Sequence, residues 1–270
     1  MPLTISHAAA AVPLRRFRLP TSALIFGTMV PDFEFFLRMN HERVIGHTPI
    51  GLLLFCIPVG LLGLVIFHNL LKHPLLSLLP HKHQAKLLPV AQQFSFFPPR
   101  RFGAIVLALL IGAVSHILWD SFTHEGSWFV ERLALLRVPL LTIGERSLKV
   151  CDFLQHGSSA IGFAILVLAY RKWYLQTPKA PEPARPLFSR STRLAVFGGM
   201  SGFACIGGLA YGFAALPGHT DLDVAQTFIA TTVVCSVSAF LAAWIAYSVI
   251  WHTLIPRTED SPTVSEPFAN

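Results

Sequence analysis

Five stretches of this chain are apolar for long enough, or nearly so, to cross a bilayer: Ile50–Leu71, Gly103–Trp119, Ser158–Trp173, Leu194–Leu216 and Ala225–Trp251. A hydrocarbon core of about 30 Å asks for about 20 apolar residues per helix. In the first stretch Pro58 predicts a kink, because proline removes one helical hydrogen bond. The first 49 residues are moderately apolar but never reach spanning length. Ser6 reads as the N-cap of a short helix that starts near His7 and stops around Pro13, and Leu19–Val30 is a second piece stopped by Pro31-Asp32. Such short pieces fit re-entrant or interfacial helices, which survive at membrane depth only when packed against protein. Between the spans, Lys72–Arg101 reads as a basic loop and Asp120–Gly157 as a mixed loop with some helix. The pattern predicts an all-α, polytopic transmembrane helical bundle. Its expected organisation is a membrane core over residues 1–173, a Pro-rich basic linker over 174–193, a transmembrane hairpin over 194–252 and a disordered tail over 253–270.

Composition agrees. The 270 residues are 53% hydrophobic and 13% charged, with a mean hydropathy of +0.57, far from soluble domains. The formal charge of +7 does not point to nucleic acid, because the basic residues sit between apolar spans and are not interleaved with stacking aromatics. Anionic lipid headgroups are the expected partners. Cys56, Cys205 and Cys235 lie in spans and Cys151 in a loop, so no disulfide or zinc-ribbon spacing arises. No basic segment precedes the apolar part of MPLTISHAAAAVPL, and no cleaved signal is expected.

Chemistry enters with Gly112–His124, GAVSHILWDSFTH. His116, Asp120 and His124 are four residues apart and share one helix face. An imidazole and a carboxylate are costly at membrane depth unless a partner or a metal takes them up. Five spans put His7, Asp32, His47, Asp120, His124 and His156 on one side of the membrane. His41 falls in the polar run Asn40–Arg43 and reads as solvated; His81 and His83 read as a solvated pair on the other side. Lys and Arg number 9 on the histidine side and 12 on the other, which favours an outward-facing cluster.

Imidazole and carboxylate are the ligands of zinc and of manganese or iron, and five His with two Asp suffice for one or two ions. A bound divalent ion lowers the pKa of its water toward about 7, so the expected chemistry is hydrolysis of a lipid or lipid-linked ester or phosphoester. The expected metal ligands are His7, Asp32, His47, His116, Asp120 and His124, with Glu34 or His156 as catalytic base and zinc the first choice of metal. Two other classes fit the same residues: a non-catalytic membrane protein whose His/Asp network fixes helix packing, and a cation transporter.

The segments PLTISHAAAAVPLRR, GTMVPDFEFFLR followed by GHTP, GAVSHILWDSFTH and FLQHGSS resemble the bacterial membrane proteins of domain-of-unknown-function family 4184. The ordered His, Pro-Asp, His and SH-x3-D-x2-TH pattern is more distantly similar to the YdjM-type metal-dependent inner-membrane hydrolases. The resemblance covers about Met1–Trp173. It implies a bacterial cytoplasmic membrane location and the same metal-ligand set, with His156 from the QHG segment.

Overall fold

In the computed structural model, which describes residues 4–40, 42–143, 146–178, 188–216 and 223–255, five helical segments are long and apolar enough to cross a membrane. They are Pro49–Leu78, Pro99–Arg132, Val150–Gln176, Arg190–Ala214 and Thr227–Leu254. The protein is an all-α integral membrane bundle, with one short β-hairpin outside the helices.

The N-terminal region forms a helical hairpin laid into this bundle. Its descending limb is a 3-10 turn over Thr4–Ala10, α1 (Ala11–Leu14) and a further 3-10 turn over Arg15–Phe17. Ser6 is therefore inside the helix and not its cap. Pro13 does not stop it either, since it falls within the first turn of α1, where a missing N–H costs little. Arg18, in the left-handed conformation at φ 55°, turns the chain, and α2 (Thr21–Gly27) returns. Ala23 and Leu24 of α2 are fully buried, with Ala11, Leu64, Ile105, Ala108 and Leu109, in the main apolar core. A 3-10 turn over Val30–Asp32 and α3 (Phe33–Arg38) complete the region.

The first span, α4 (Pro49–Leu78), begins where Thr48 caps it, accepting from the Gly51 N–H at 3.0 Å, with Pro49 at the first helical position. The expected disturbance at Pro58 takes the form of a π-helical turn over Leu52–Cys56 just before it. A second π turn, Phe67–Leu71, precedes Pro74. Pro74 cannot serve the Leu70 carbonyl four residues back; the ring of His252 binds it at 3.0 Å.

Lys72–Arg101 is not a loop: α4 continues to Leu78 and α5 (His81–Gln92) follows. Local polarity misled because the partners are distant. His83 bonds the Tyr170 hydroxyl at 2.5 Å, and Lys86 binds the carbonyls of Tyr174 and Thr177, so the polar face of α5 lies on another helix. The second span, α6 (Pro99–Thr123), runs past Asp120. After α7 (Trp128–Arg132) come β1 (Pro139–Ile143) and β2 (Arg146–Lys149), an antiparallel pair. The third span, α8 (Val150–Gln176), starts eight residues before the sequence suggested. Asp152 accepts from the Lys149 N–H at 2.8 Å and so caps α8. Cys151 is consequently a helix residue, buried against Val130 and Leu136 rather than in a loop.

The C-terminal helices α9 (Arg190–Ala214) and α10 (Asp223–Leu254) pack closely at glycines; a Cβ on Gly208 would meet Thr232 O at 2.7 Å. They dock on the rest through Ser238 to Phe36 O (2.8 Å), Tyr247 to Ser77 (2.9 Å) and Arg193 to Leu79 O (2.6 Å). Of the expected linker, residues 174–176 belong to α8 and residues 190–193 to α9, while 179–187 lie outside the described residues, as do 256–270 of the expected tail, His41 and His219.

Candidate metal centre

Two glycine contacts bring α2 against α6. A Cβ on Gly27 would stand 2.4 Å from Leu109 O, and one on Gly112 would stand 2.6 Å from Leu24 O and 2.7 Å from Thr28 N, so the backbones touch there. One turn beyond Gly112, His116 Nδ1 bonds the Thr28 carbonyl at 2.8 Å. A carbonyl only accepts, so the proton sits on Nδ1 and neutral His116 turns the Nε2 lone pair inward, the tautomer a metal requires.

His47 arrives from a different direction. The Gly46-His47-Thr48-Pro49 run divides its work: Thr48 and Pro49 start α4, and Gly46 passes so close to Pro31 that a Cβ would lie 2.4 Å from its carbonyl oxygen. The turn before His47 is clamped by Glu34. The Glu34 carboxylate accepts from the N–H groups of Val44 (3.2 Å), Ile45 (3.1 Å) and Gly46 (2.9 Å), and Arg38 adds a fourth donor at 3.2 Å. Burial alone would raise the Glu34 pKa, but these donors outweigh it and hold the carboxyl below its ordinary value. Glu34, a candidate base in the sequence reading, thus has its carboxylate taken up by four donors and positions the His47 turn.

Asp32, from the 3-10 turn before α3, accepts from the Thr4 hydroxyl at 2.7 Å through Oδ2, which leaves Oδ1 facing the histidines.

Four atoms from three segments therefore converge, Asp32 Oδ1, His47 Nε2 and, both from α6, His116 Nε2 and Asp120 Oδ2, all within 4.8 Å of one another. His47 lies 3.3 Å from His116, 3.4 Å from Asp32 and 3.6 Å from Asp120; His116 lies 3.4 Å from Asp32 and 3.5 Å from Asp120. A tetrahedron with ligand bonds of about 2.0 to 2.2 Å has edges of about 3.3 to 3.6 Å. Five of the six edges fall in that interval. Two carboxylates and two imidazole nitrogens at such spacing repel unless a positive charge, a proton or a metal ion, lies between them. The cluster could hold a metal ion.

Around this group, His7 and His124 reach the other oxygen of Asp120, at 3.4 and 3.6 Å. His7 is buried and stacks on His116, with ring centroids 4.0 Å apart. Its helix fits against α8 at Gly162, where a Cβ would stand 2.8 Å from Ser6 O. His124 carries Thr123 Oγ1 at 3.1 Å on Nδ1 and Gln155 at 3.3 Å on Nε2. Gln155, not His156, is the α8 residue turned to the cluster; His156, the next position round the helix, is exposed. A 100° step per residue separates their directions, and the packing of α8, with Gly162 on Ser6 and Cys151 against Val130 and Leu136, sets which one faces inward.

Sequence reasoning also passed over Arg43, read as part of a solvated run. Its Nη2 bonds Asp120 Oδ2 at 2.5 Å, with the side chain 31% exposed at the rim. Nothing in the spacing of Arg43 and Asp120, 77 residues apart, signals this pair. A second group, Glu125, Cys151 and Asp152, also has ligand-like spacing, but its acids are engaged by Lys149.

No curated protein and no solved structure shows a significant match to the chain. The family model described as Domain of unknown function (DUF4184) matches residues 1–249, which includes the C-terminal hairpin as well as the region around the cluster, and the chain belongs to that family.

Proposed function

We propose that this protein is a metal-dependent hydrolase of a lipid or lipid-linked phosphoester. The observation that carries the reading is the set of five ligand-to-ligand separations of 3.3 to 3.6 Å among Asp32, His47, His116 and Asp120. Zinc suits the two-nitrogen, two-oxygen donor set, with manganese or iron as alternatives. When bound, the ion would supply Lewis-acid stabilisation of a phosphoryl oxygen and an acidified water. Thr28 fixes the His116 tautomer, Glu34 fixes the His47 turn and Thr4 orients Asp32. Arg43, half-buried at the rim, offers the planar fork of donors that matches a phosphate, which favours a phosphoester over a carboxylic ester.

The membrane setting supports a lipid substrate. The N-terminal hairpin carries Arg15, Arg16 and Arg18 away from the cluster, because Leu14 and Leu19 pack on the same apolar core as Phe94 and Phe96, and Ser22 bonds His68, which stacks on Phe94. Moving those three arginines turns the Lys and Arg balance from 9 against 12 into 6 against 15, which argues for the cluster on the outer face of a bacterial cytoplasmic membrane. A transport pathway is disfavoured, since Leu24, Leu64, Ile105, Ala108 and Leu109 close the bundle beneath the cluster.

One observation favours a metal-free structural network instead: Arg43 already neutralises part of the charge on Asp120. Metal analysis of detergent-purified protein separates the two. Under the proposal the protein retains zinc or manganese, chelation and Asp120→Ala lower thermal stability non-additively, and Arg43→Gln lowers kcat/KM for a phosphoester lipid in mixed micelles while metal content stays unchanged. Less than about a tenth of an equivalent of metal, with Asp120→Ala destabilising regardless of chelator, rejects it in favour of the network.

A further inference from the structure

We infer a second metal position beside the first, with Asp120 as the shared, bridging carboxylate and His7 and His124 as its other ligands. The inference rests on the metal-site reading above and extends it. Asp120 faces the first group with Oδ2 alone. Its Oδ1 is buried and, among the described residues, makes no hydrogen bond. The same is true of both ring nitrogens of His7, whose residue is 2% exposed. Leaving such groups unpaired costs about 1 to 3 kcal/mol each, so the two orphaned atoms that face each other, His7 Nε2 and Asp120 Oδ1, call for a ligand that both serve.

The geometry identifies its class. Asp120 Oδ1 lies 3.4 Å from His7 Nε2 and 3.6 Å from His124 Nδ1. Both gaps exceed the about 2.7 to 3.2 Å of an N–H···O bond and fall in the about 3.3 to 3.6 Å edge interval of one tetrahedral ion. His7 and His116 stack with 29° between ring planes, and their Nε2 atoms address different oxygens of the same carboxylate. A divalent transition ion takes such a donor set. Two ions bridged by a carboxylate and about 3.5 to 4 Å apart can stabilise both the attacking and the leaving oxygen of a phosphoester. That arrangement gives His7 and His124 a role that a one-metal site leaves unassigned. Gln155, from α8, supports His124 from behind.

The test is metal stoichiometry, with no substrate involved. Metal-stripped protein in detergent is dialysed to equilibrium against zinc(II), and a parallel sample is titrated with manganese(II) and read by electron paramagnetic resonance. The expected result is two equivalents, with spin-coupled manganese at saturation, falling to one uncoupled equivalent in His124→Ala and in His7→Gln. His124 is partly exposed, so His124→Ala carries the test alone if the His7 variant does not fold. One uncoupled equivalent in the unaltered protein overturns the second position and leaves the first standing. No bound metal overturns both. Two coupled equivalents that persist in both variants overturn the assignment to His7 and His124.

Discussion

Glu34→Gln decides between a carboxylate that does chemistry and one that holds a turn. In the structure the carboxylate collects the N–H groups of Val44, Ile45 and Gly46 at 2.9 to 3.2 Å, and Arg38 besides. Glutamine keeps one acceptor oxygen and turns an NH2 group toward donors that need an acceptor. Losing two charge-assisted bonds at about 1.5 kcal/mol each costs about 3 kcal/mol. For a chain of this size that lowers the melting temperature by about 6 to 12 °C, at about 2 to 4 °C per kcal/mol. The measurement is thermal unfolding in detergent on metal-stripped protein, because the clamp acts without a metal. Zinc affinity should fall in parallel, since the released turn carries His47. If Glu34→Gln instead leaves the melting temperature within about 1 °C and zinc binding unchanged while hydrolysis is lost, the positioning argument is wrong and Glu34 acts as a base.

The same residue predicts a pH dependence. Its folded pKa lies below the ordinary 4.5, so the unfolded chain binds the extra proton, and the stabilisation is complete above 4.5 and lost as pH falls through the folded value. The melting-temperature gap between the unaltered protein and Glu34→Gln should stay constant from about pH 7 to 5 and narrow below 4.5; a gap that closes between 7 and 5 contradicts this. Gly112→Ala should part α2 from α6, because the new Cβ stands 2.6 Å from Leu24 O where 3.4 Å is ordinary contact. We expect a loss of about 1 to 3 kcal/mol in denaturant or thermal melts, together with weaker metal binding as His116 leaves Thr28; unchanged values in both would show that the helix contact does not set the site.

His116 and Asp120 were legible because they share one helix, where spacing alone fixes direction; His124 follows α6 in extended conformation, so its approach to Asp120 is not set by helical spacing. Gly46-His47-Thr48-Pro49 was legible in part: the cap and the proline place His47 at the mouth of α4, but not the Glu34 clamp, which depends on how a turn ten residues later folds back. Gln155 and His156 are adjacent, and only the packing of α8, through Gly162 and Cys151, decides which faces inward. The N-terminal hairpin was legible as short apolar pieces packed against protein, but its place between α4 and α6 was not, because contacts with Leu64, Ile105, Ala108 and Leu109 set it.

Hydropathy by itself determined the membrane-spanning class of this protein and the approximate place of each span, since lipid leaves a chain few alternatives to long apolar helices. It also singled out the histidines and aspartates, which are expensive at such positions. Only the tertiary structure decided which of their atoms meet, that Arg43 joins Asp120 across 77 residues, that the Glu34 carboxylate holds the turn before His47, and that His156 is exposed. Those outcomes depend on side-chain directions set by helix packing and glycine contacts between distant segments, which no local pattern of residues encodes.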